Sequence, residues 1–204
     1  MGSDAAAAAA AGALGALAAL AAGQVVGIPT DTVYGLAVAP LVPGATDRVF
    51  AVKRRPAGMD LPVLVAGTEQ ARTWAAAWPA EAERLAGAFW PGALTIVVAR
   101  RSDLAAIALG ERAGTVGLRW PDHPVPFELC HRLGPLATTS ANRHGEPPLT
   151  TADDVREVFG DEVAVVLDGG TCAGAPSTVV ECLGDGVRLL REGRIAFADI
   201  LAAL

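Results

Sequence analysis

Apolar positions along this 204-residue chain change their period several times. In "SDAAAAAAAGALGALAALAAG", Leu14, Leu17 and Leu20 recur at near-helical spacing between Ser3 or Asp4 and Gly23. That predicts a first helix of about 18 residues, capped by Ser3 or Asp4 and stopped by the glycine. "QVVGIP" is a short apolar run ended by proline, the pattern of a buried strand, and "TDTVYGLAVAP" leaves it as a polar turn. In "ATDRVFAVKRRP" a helical pattern through Val49, Phe50 and Val52 stops at Pro56, so Lys53 and Arg55 fall at the helix end or just beyond it.

"LPVLVA" reads as a second strand, "TEQARTWAAAW" and "AEAERLAGAFW" as two helices, and "PGALTIVVAR" as the clearest strand. A short helix near residues 102–109, a strand "GTVGLRWP", a helix "PFELCHRLG" and a strand "PLATTS" follow. The last third predicts a helix "TADDVREVFG" behind Thr150 or Thr151, three strands in "VAVVLDGG", "STVVEC" and "VRLLREG", and a closing helix "AFADILAAL". Early alternation and late clustering of strands predict an α/β fold with one mixed sheet and helices packed on it. No repeat or linker splits the chain: residues 1–23 form an alanine-rich helix, and 24–204 form one domain.

Composition narrows the function. A net charge of −6 argues against a domain that grips nucleic acid through a broad basic surface. The first helix carries Asp4 and no basic leader, and its alanines are too weakly hydrophobic for a membrane span, so no membrane association is expected. Cys130, Cys172 and Cys182 have neither CxxC nor zinc-finger spacing, and reduced thiols in a cytoplasmic protein are the simplest reading. His123, His131 and His144 complete no zinc pattern with them, so no metal-ligating set is assigned.

The charges hold one anomaly. Of sixteen basic residues, only Lys53 is a lysine. Its ammonium is a compact point charge, where arginine offers a rigid planar fork, so a lysine kept alone in an arginine-using chain marks a candidate role. Chance placement is the alternative. "PTDTVYGL" gathers Thr30, Asp31, Thr32 and the sole tyrosine, Tyr34, into a turn that suits a small polar ligand or simply bonds its own backbone.

"ATTSANRHGEPP" strings Thr138, Thr139, Ser140 and Asn142 after a strand, uncharged donors that fit phosphate or sugar oxygens, or an ordinary Ser/Asn turn. "GTVGLRWP" sets Thr115 and Arg119 on one strand face, and a buried arginine there needs an anion, from the protein or from a ligand. "GAPSTVVE" and "LLREG" add Ser177, Thr178 and Arg191.

In order and spacing, "PTDTVYGL", "KRRP", "VGLRWPDHP", "TSANRHGEP" and "STVVE…LREG" resemble the YrdC-like threonylcarbamoyl-AMP synthases, over residues from about 24 to about 195. The resemblance implies an open, twisted mixed sheet with a concave ligand site. It implies an enzyme that makes threonylcarbamoyl-AMP and pyrophosphate from threonine, bicarbonate and ATP, with Mg²⁺ accompanying ATP. A separate transferase then passes the threonylcarbamoyl group to tRNA, so this chain's own tRNA contact would be weak or indirect.

By the same resemblance Thr32, Arg119, Thr138 and Ser177 hold threonine, while Lys53, Arg55, Thr115, Ser140, Asn142 and Arg191 surround ATP, with Lys53 and Arg55 as the catalytic cations. The chain departs from the family pattern at Met59, Asp60 and Leu64, where the family often has asparagine, proline and histidine, and near Pro148, where it often has serine. Two alternatives remain: a non-catalytic relative that binds nucleotide or RNA on the same surface, and carbamoyl transfer as in hydrogenase-maturation proteins. The second calls for a longer chain and more cysteines.

Overall fold

The computed structural model describes residues 2–54, 60–143 and 145–204. Among the described residues nine strands form one mixed sheet: β1 (Val26–Ile28), β2 (Gly35–Val38), β3 (Val63–Leu64), β4 (Leu94–Ala99), β5 (Thr115–Arg119), β6 (Leu136–Ser140), β7 (Val165–Val166), β8 (Thr178–Cys182) and β9 (Val187–Arg191). Their order across the sheet is β7-β1-β2-β6-β3-β5-β4-β8-β9. Neighbours pair antiparallel except β1–β7, β3–β5 and β4–β8, which are parallel. The helices are α1 (Gly2–Ala21), α2 (Ala45–Lys53), α3 (Thr68–Arg72), α4 (Ala80–Phe89), α5 (Pro124–Leu133), α6 (Ala152–Phe159) and α7 (Phe197–Ala202).

Side chains alternate across each strand, so the sheet sorts residues onto two faces. One face is covered along its whole width. Leu36 and Val38 of β2, Val63 of β3, Leu94, Ile96 and Val98 of β4, Val116 and Leu118 of β5 and Val180 of β8 enter one core with Val49 and Phe50 of α2, Leu85 of α4, Val155 and Phe159 of α6 and Ile200 of α7.

The other face is covered only on its β1 side. There Val26 and Ile28 of β1, Ala37 of β2, Leu64 of β3 and Leu136 of β6 meet Ala16, Ala19 and Leu20 of α1 and Leu129 and Cys130 of α5. Beyond them the same face carries Thr95, Thr115, Arg119, Thr138 and Ser177 and borders open space. Residues 167–177, between β7 and β8, run back across the molecule as a strap without regular structure. Tyr34 pins it: its hydroxyl donates to the Gly170 carbonyl (2.9 Å) and accepts from the Gly169 N–H (3.2 Å). Gly169 lies so close to Pro29 that a Cβ would approach that ring to 2.6 Å.

The elements differ from the sequence pattern in places. The predicted polar turn after β1 contains β2, because "GLAV" is buried on both faces and shows no alternation to mark it. "TEQARTWAAAW" is helical only over Thr68–Arg72, after which Trp74 turns inward and Ala75 forms a β-bridge to Arg100. The helix expected near 102–109 is one 3₁₀ turn, Ser102–Leu104. α1 starts at Gly2, ahead of the predicted caps Ser3 and Asp4.

Candidate active site

Two adjoining cavities open on the uncovered part of the sheet, of about 470 Å³ and about 460 Å³. Asp60, Pro62, Thr95, Ser177 and Arg191 line both and form the wall between them. The first also takes in Thr32, Lys53, Arg119, Thr138, Ser140 and Asn142. Thr115 lies in the second, with Glu111, Arg112 and Gly117. The structure thus brings nine of the ten sequence-predicted residues to these two adjoining cavities. The tenth, Arg55, lies outside the described residues, as do Met59 and His144.

Lys53 ends α2 and is 3% exposed. Its Nζ donates to the Ser140 carbonyl (2.7 Å) and to Asn142 Oδ1 (2.8 Å), with Ser140 Oγ at 3.5 Å. The Ser140 hydroxyl donates to the same Asn142 oxygen (2.7 Å), while Asn142 Nδ2 donates to the carbonyls of Arg143 (2.9 Å) and Glu146 (2.7 Å). The amide orientation is therefore set by its neighbours: the NH₂ faces two carbonyls, and the oxygen faces the ammonium. The result is an ordered cationic corner with hydroxyls around it.

The other end of the first cavity is built on Arg119, the last residue of β5. Its Nε donates to the Gly92 carbonyl (3.0 Å), one terminal nitrogen to Thr32 Oγ1 (3.0 Å) and the other to Asp31 Oδ1 (2.6 Å). Both partners of the Arg119–Asp31 ion pair are nearly buried, with side chains 8% and 11% exposed. Burial pushes the Arg119 pKa down and the Asp31 carboxylate pulls it back up. A guanidinium has five N–H donors, and three are engaged here, so one remains on each terminal nitrogen. Donors left on a guanidinium suit a ligand carboxylate.

The turn beneath supports this end. Thr30 Oγ1 donates to the Val33 carbonyl (2.7 Å) and lies 2.9 Å from Thr32 Oγ1, while the Gly174 N–H of the strap holds the Thr32 carbonyl (2.7 Å). On the shared wall, Thr95 Oγ1 and Ser177 Oγ are 2.9 Å apart, and Arg191 donates to the Ser177 carbonyl (2.8 Å) and Oγ (3.2 Å). Burial lowers the Arg191 pKa. Thr138 Oγ1 donates to the Pro62 carbonyl at 3.3 Å.

One pairing and two contributors had escaped the sequence reading, which set Asp31 and Arg119 in separate candidate segments. Asp31 turns out to be the anion Arg119 needs, the Gly92 carbonyl orients Arg119, and Thr95 supplies a hydroxyl to the floor. Thr95 left one signal, as the lone polar residue within "LTIVV". Two departures from the family pattern also line the first cavity: Leu64 on its floor and Pro148 on its edge. A third, Asp60, accepts from the Arg112 N–H (3.1 Å) and lies 3.6 Å from the Arg112 guanidinium, which fastens the dividing wall to the loop after Leu109. Among the described residues no three His, Cys, Asp or Glu side chains converge as a metal cage, and no helix is long and apolar enough to cross a membrane.

Known proteins resemble this chain over most of its length. The Sua5/YciO/YrdC family model, described as "Telomere recombination", matches residues 18–193. A Mycobacterium tuberculosis protein provisionally named a threonylcarbamoyl-AMP synthase is 40% identical over 184 residues, covering 90% of this chain and 84% of its own. The Bacillus subtilis threonylcarbamoyl-AMP synthase is 36% identical over 183 residues, 89% of this chain but 53% of its own, so this chain spans about half of that longer relative. Pyrococcus abyssi Sua5, solved in complex with L-threonine, superposes with a TM-score of 0.84 at 34% identity, over 93% of this chain and 56% of that one.

Proposed function

We infer the function from one premise: the chain belongs to the Sua5/YciO/YrdC family. We propose that it is a threonylcarbamoyl-AMP synthase, a nucleotidyltransferase that joins threonine, bicarbonate and ATP into threonylcarbamoyl-AMP and pyrophosphate. The observation that carries the reading is the spacing of two unlike cations in one cavity: Lys53 fixed against Ser140 and Asn142, and Arg119 with two N–H donors left to a carboxylate. One ligand with a carboxylate at one end and phosphates at the other would satisfy both.

In this reading Arg119 and Thr32 receive the threonine carboxylate, and the Thr138 and Ser177 hydroxyls face the rest of the amino acid. The amine takes up bicarbonate with loss of water, and one carbamate oxygen attacks the α-phosphorus of ATP. The new P–O bond forms as the bond to the β-phosphate oxygen breaks, and pyrophosphate carries away the electron pair. Negative charge spreads over phosphate oxygens in that transition state. Preorganised cations and donors stabilise it more than the ground state. Lys53, Ser140 and Asn142 supply them at one end and Arg191 at the wall, with the nucleotide extending towards Thr115 in the second cavity. Arg55 joins them by resemblance alone.

Mg²⁺ belongs to the substrate in this scheme. Asp60 is the one carboxylate among the described residues lining the first cavity, and Arg112 already engages it. Such a donor set fits an ion that arrives on the ATP phosphates and keeps its waters. The product is consumed by a separate transferase acting on tRNA, and the ATP and threonine requirement implies a cytoplasmic setting.

Incubation with ATP and radiolabelled bicarbonate, with threonine, serine or no amino acid, tests the proposal. Threonine-dependent label in an acid-labile adenylate, with matching pyrophosphate release, is the expected result. ATP binding without product from any amino acid would instead assign the chain as a binding relative, with Leu64 and Pro148 as the first residues to revert.

A further inference from the structure

Arg143 follows Asn142 directly, yet its side chain turns away from the cavity. Its guanidinium donates to the carbonyl of Val52 in the last turn of α2, to the carbonyl of Val158 near the end of α6 (3.1 Å) and to the carboxylate of Glu162. It also lies 4.6 Å from the ring centroid of Phe159. One side chain thus joins two helix C-termini, an acid and an aromatic face.

Elementary helix geometry explains the need. The last carbonyls of a helix have no intrahelical donor, and the residue four beyond Val52 is Pro56, which has no N–H to give. A cation there also meets the negative ends of two helix dipoles. Only a planar fork reaches two carbonyls and a carboxylate at once; an ammonium cannot span them.

Val52 is the residue before Lys53. The loop that carries Asn142 therefore grips α2 twice: Ser140 and Asn142 hold the ammonium, and Arg143 holds the backbone one residue from its root. Catalysis by an electrostatic contact depends on where the charge is held, and a misplacement of about 1 Å costs up to about 10²-fold. We propose that Arg143 is a positioning residue for Lys53, which through the Val52 carbonyl makes the end of α2 and the Ser140–Arg143 loop one rigid unit. The proposal rests on the reading of Lys53 as the phosphate-facing cation.

The lone lysine makes a direct test available. Lysine labelled with ¹³C at Cε gives one protein signal, that of Lys53. In the full chain, Arg143→Gln is expected to shift and broaden that signal, to weaken ATP binding by roughly tenfold and to lower kcat by at least as much, leaving KM for threonine within about twofold. Arg143→Lys keeps the charge without the fork and should recover only part of the loss. Glu162→Gln, outside the cavity, should leave the signal and the kinetics within about twofold, since the two carbonyl contacts persist.

An unchanged lysine signal and ATP affinity in folded Arg143→Gln overturns the proposal. So does an equal effect of Glu162→Gln, which would assign the work to the ion pair, or an equal rise in both KM values, which would indicate general loosening. If Arg143→Gln does not fold, Arg143→Lys carries the same ATP-affinity and kinetic measurements, its own labelled lysine adding a second signal beside that of Lys53. Should the wild type make no adenylate, the proposed function falls, while the lysine signal and ATP affinity still decide the role of Arg143.

Discussion

Two halves of one sheet face, built from the same strands and the same alternation, have opposite fates. On the β1 side Ile28, Ala37, Leu136, Leu129 and Cys130 close against α1 and α5. On the β8 side the equivalent positions are Thr95, Thr115, Arg119, Thr138 and Ser177, and they border the two cavities. β6 crosses the divide within itself, with Leu136 in the core and Thr138, two residues on, at the cavity. Backbone geometry does not distinguish a core from a site here; the side chains on one face do. Thr95, Arg119, Thr138 and Ser177 are themselves buried, with their polar groups bonded to protein partners, so the cavity they line is polar and suits a polar ligand better than an apolar helix face.

Substitutions on each side should therefore move different observables. The largest effect is expected from Lys53→Ala, a loss of about 10²- to 10³-fold in adenylate formation. The fold should survive, although the Ser140 carbonyl and Asn142 Oδ1 each lose a donor, and stopped-assay rates beside circular dichroism would check both. In the covered half, Leu129→Ala should cost about 2–5 kcal/mol of unfolding free energy. Denaturant titration reads that loss, and a KM for threonine more than a few-fold off wild type would mean that the halves are coupled.

A smaller effect sharpens the contrast. Thr95→Val keeps the volume and removes the hydroxyl facing Ser177. Threonine KM should rise about threefold to tenfold, the scale of a single neutral hydrogen bond of about 1 kcal/mol, while melting temperature holds or rises. A fall of several degrees would recast Thr95 as a core residue.

The subtlest difference is in pH dependence. Burial in the covered half pushes the Cys130 thiol up from its ordinary 9.0 to about 12. The folded state thus holds this proton more tightly than the unfolded chain, so the stabilisation is whole below pH 9 and is lost as pH rises towards 12. Melting temperature followed from pH 8 to pH 11 should decline more in the wild type than in Cys130→Ala, and parallel curves would rule the thiol out as the cause.

Much of this was legible in the chain. Long periodic segments announced α4 and α6, and the run "LTIVVA" announced β4, because each repeats its pattern for several turns or residues. β2 was not legible, since burial on both faces erases alternation and Gly35 looks like a turn. Lys53 stood out by being the only residue of its kind, a signal that needs no structure. The pairing of Asp31 with Arg119 and the role of the Gly92 carbonyl could not stand out, since they join residues 88 and 27 apart in sequence, and only the fold closes those distances.

The strap deserves a mechanical reading as well. β7 and β8 lie seven strand spacings apart, roughly 34 Å if the sheet were flat. The eleven residues 167–177 can span little more, about 40 Å at full stretch. They bend twice at left-handed glycines, Gly170 (φ 81°) and Gly174 (φ 88°), so their true reach is shorter still. The strap is a bowstring and the sheet its bow: flattening the sheet would take up most of the string's slack. Curvature, and with it the concavity of the candidate site, is limited by the length of one loop as well as set by the twist of the strands.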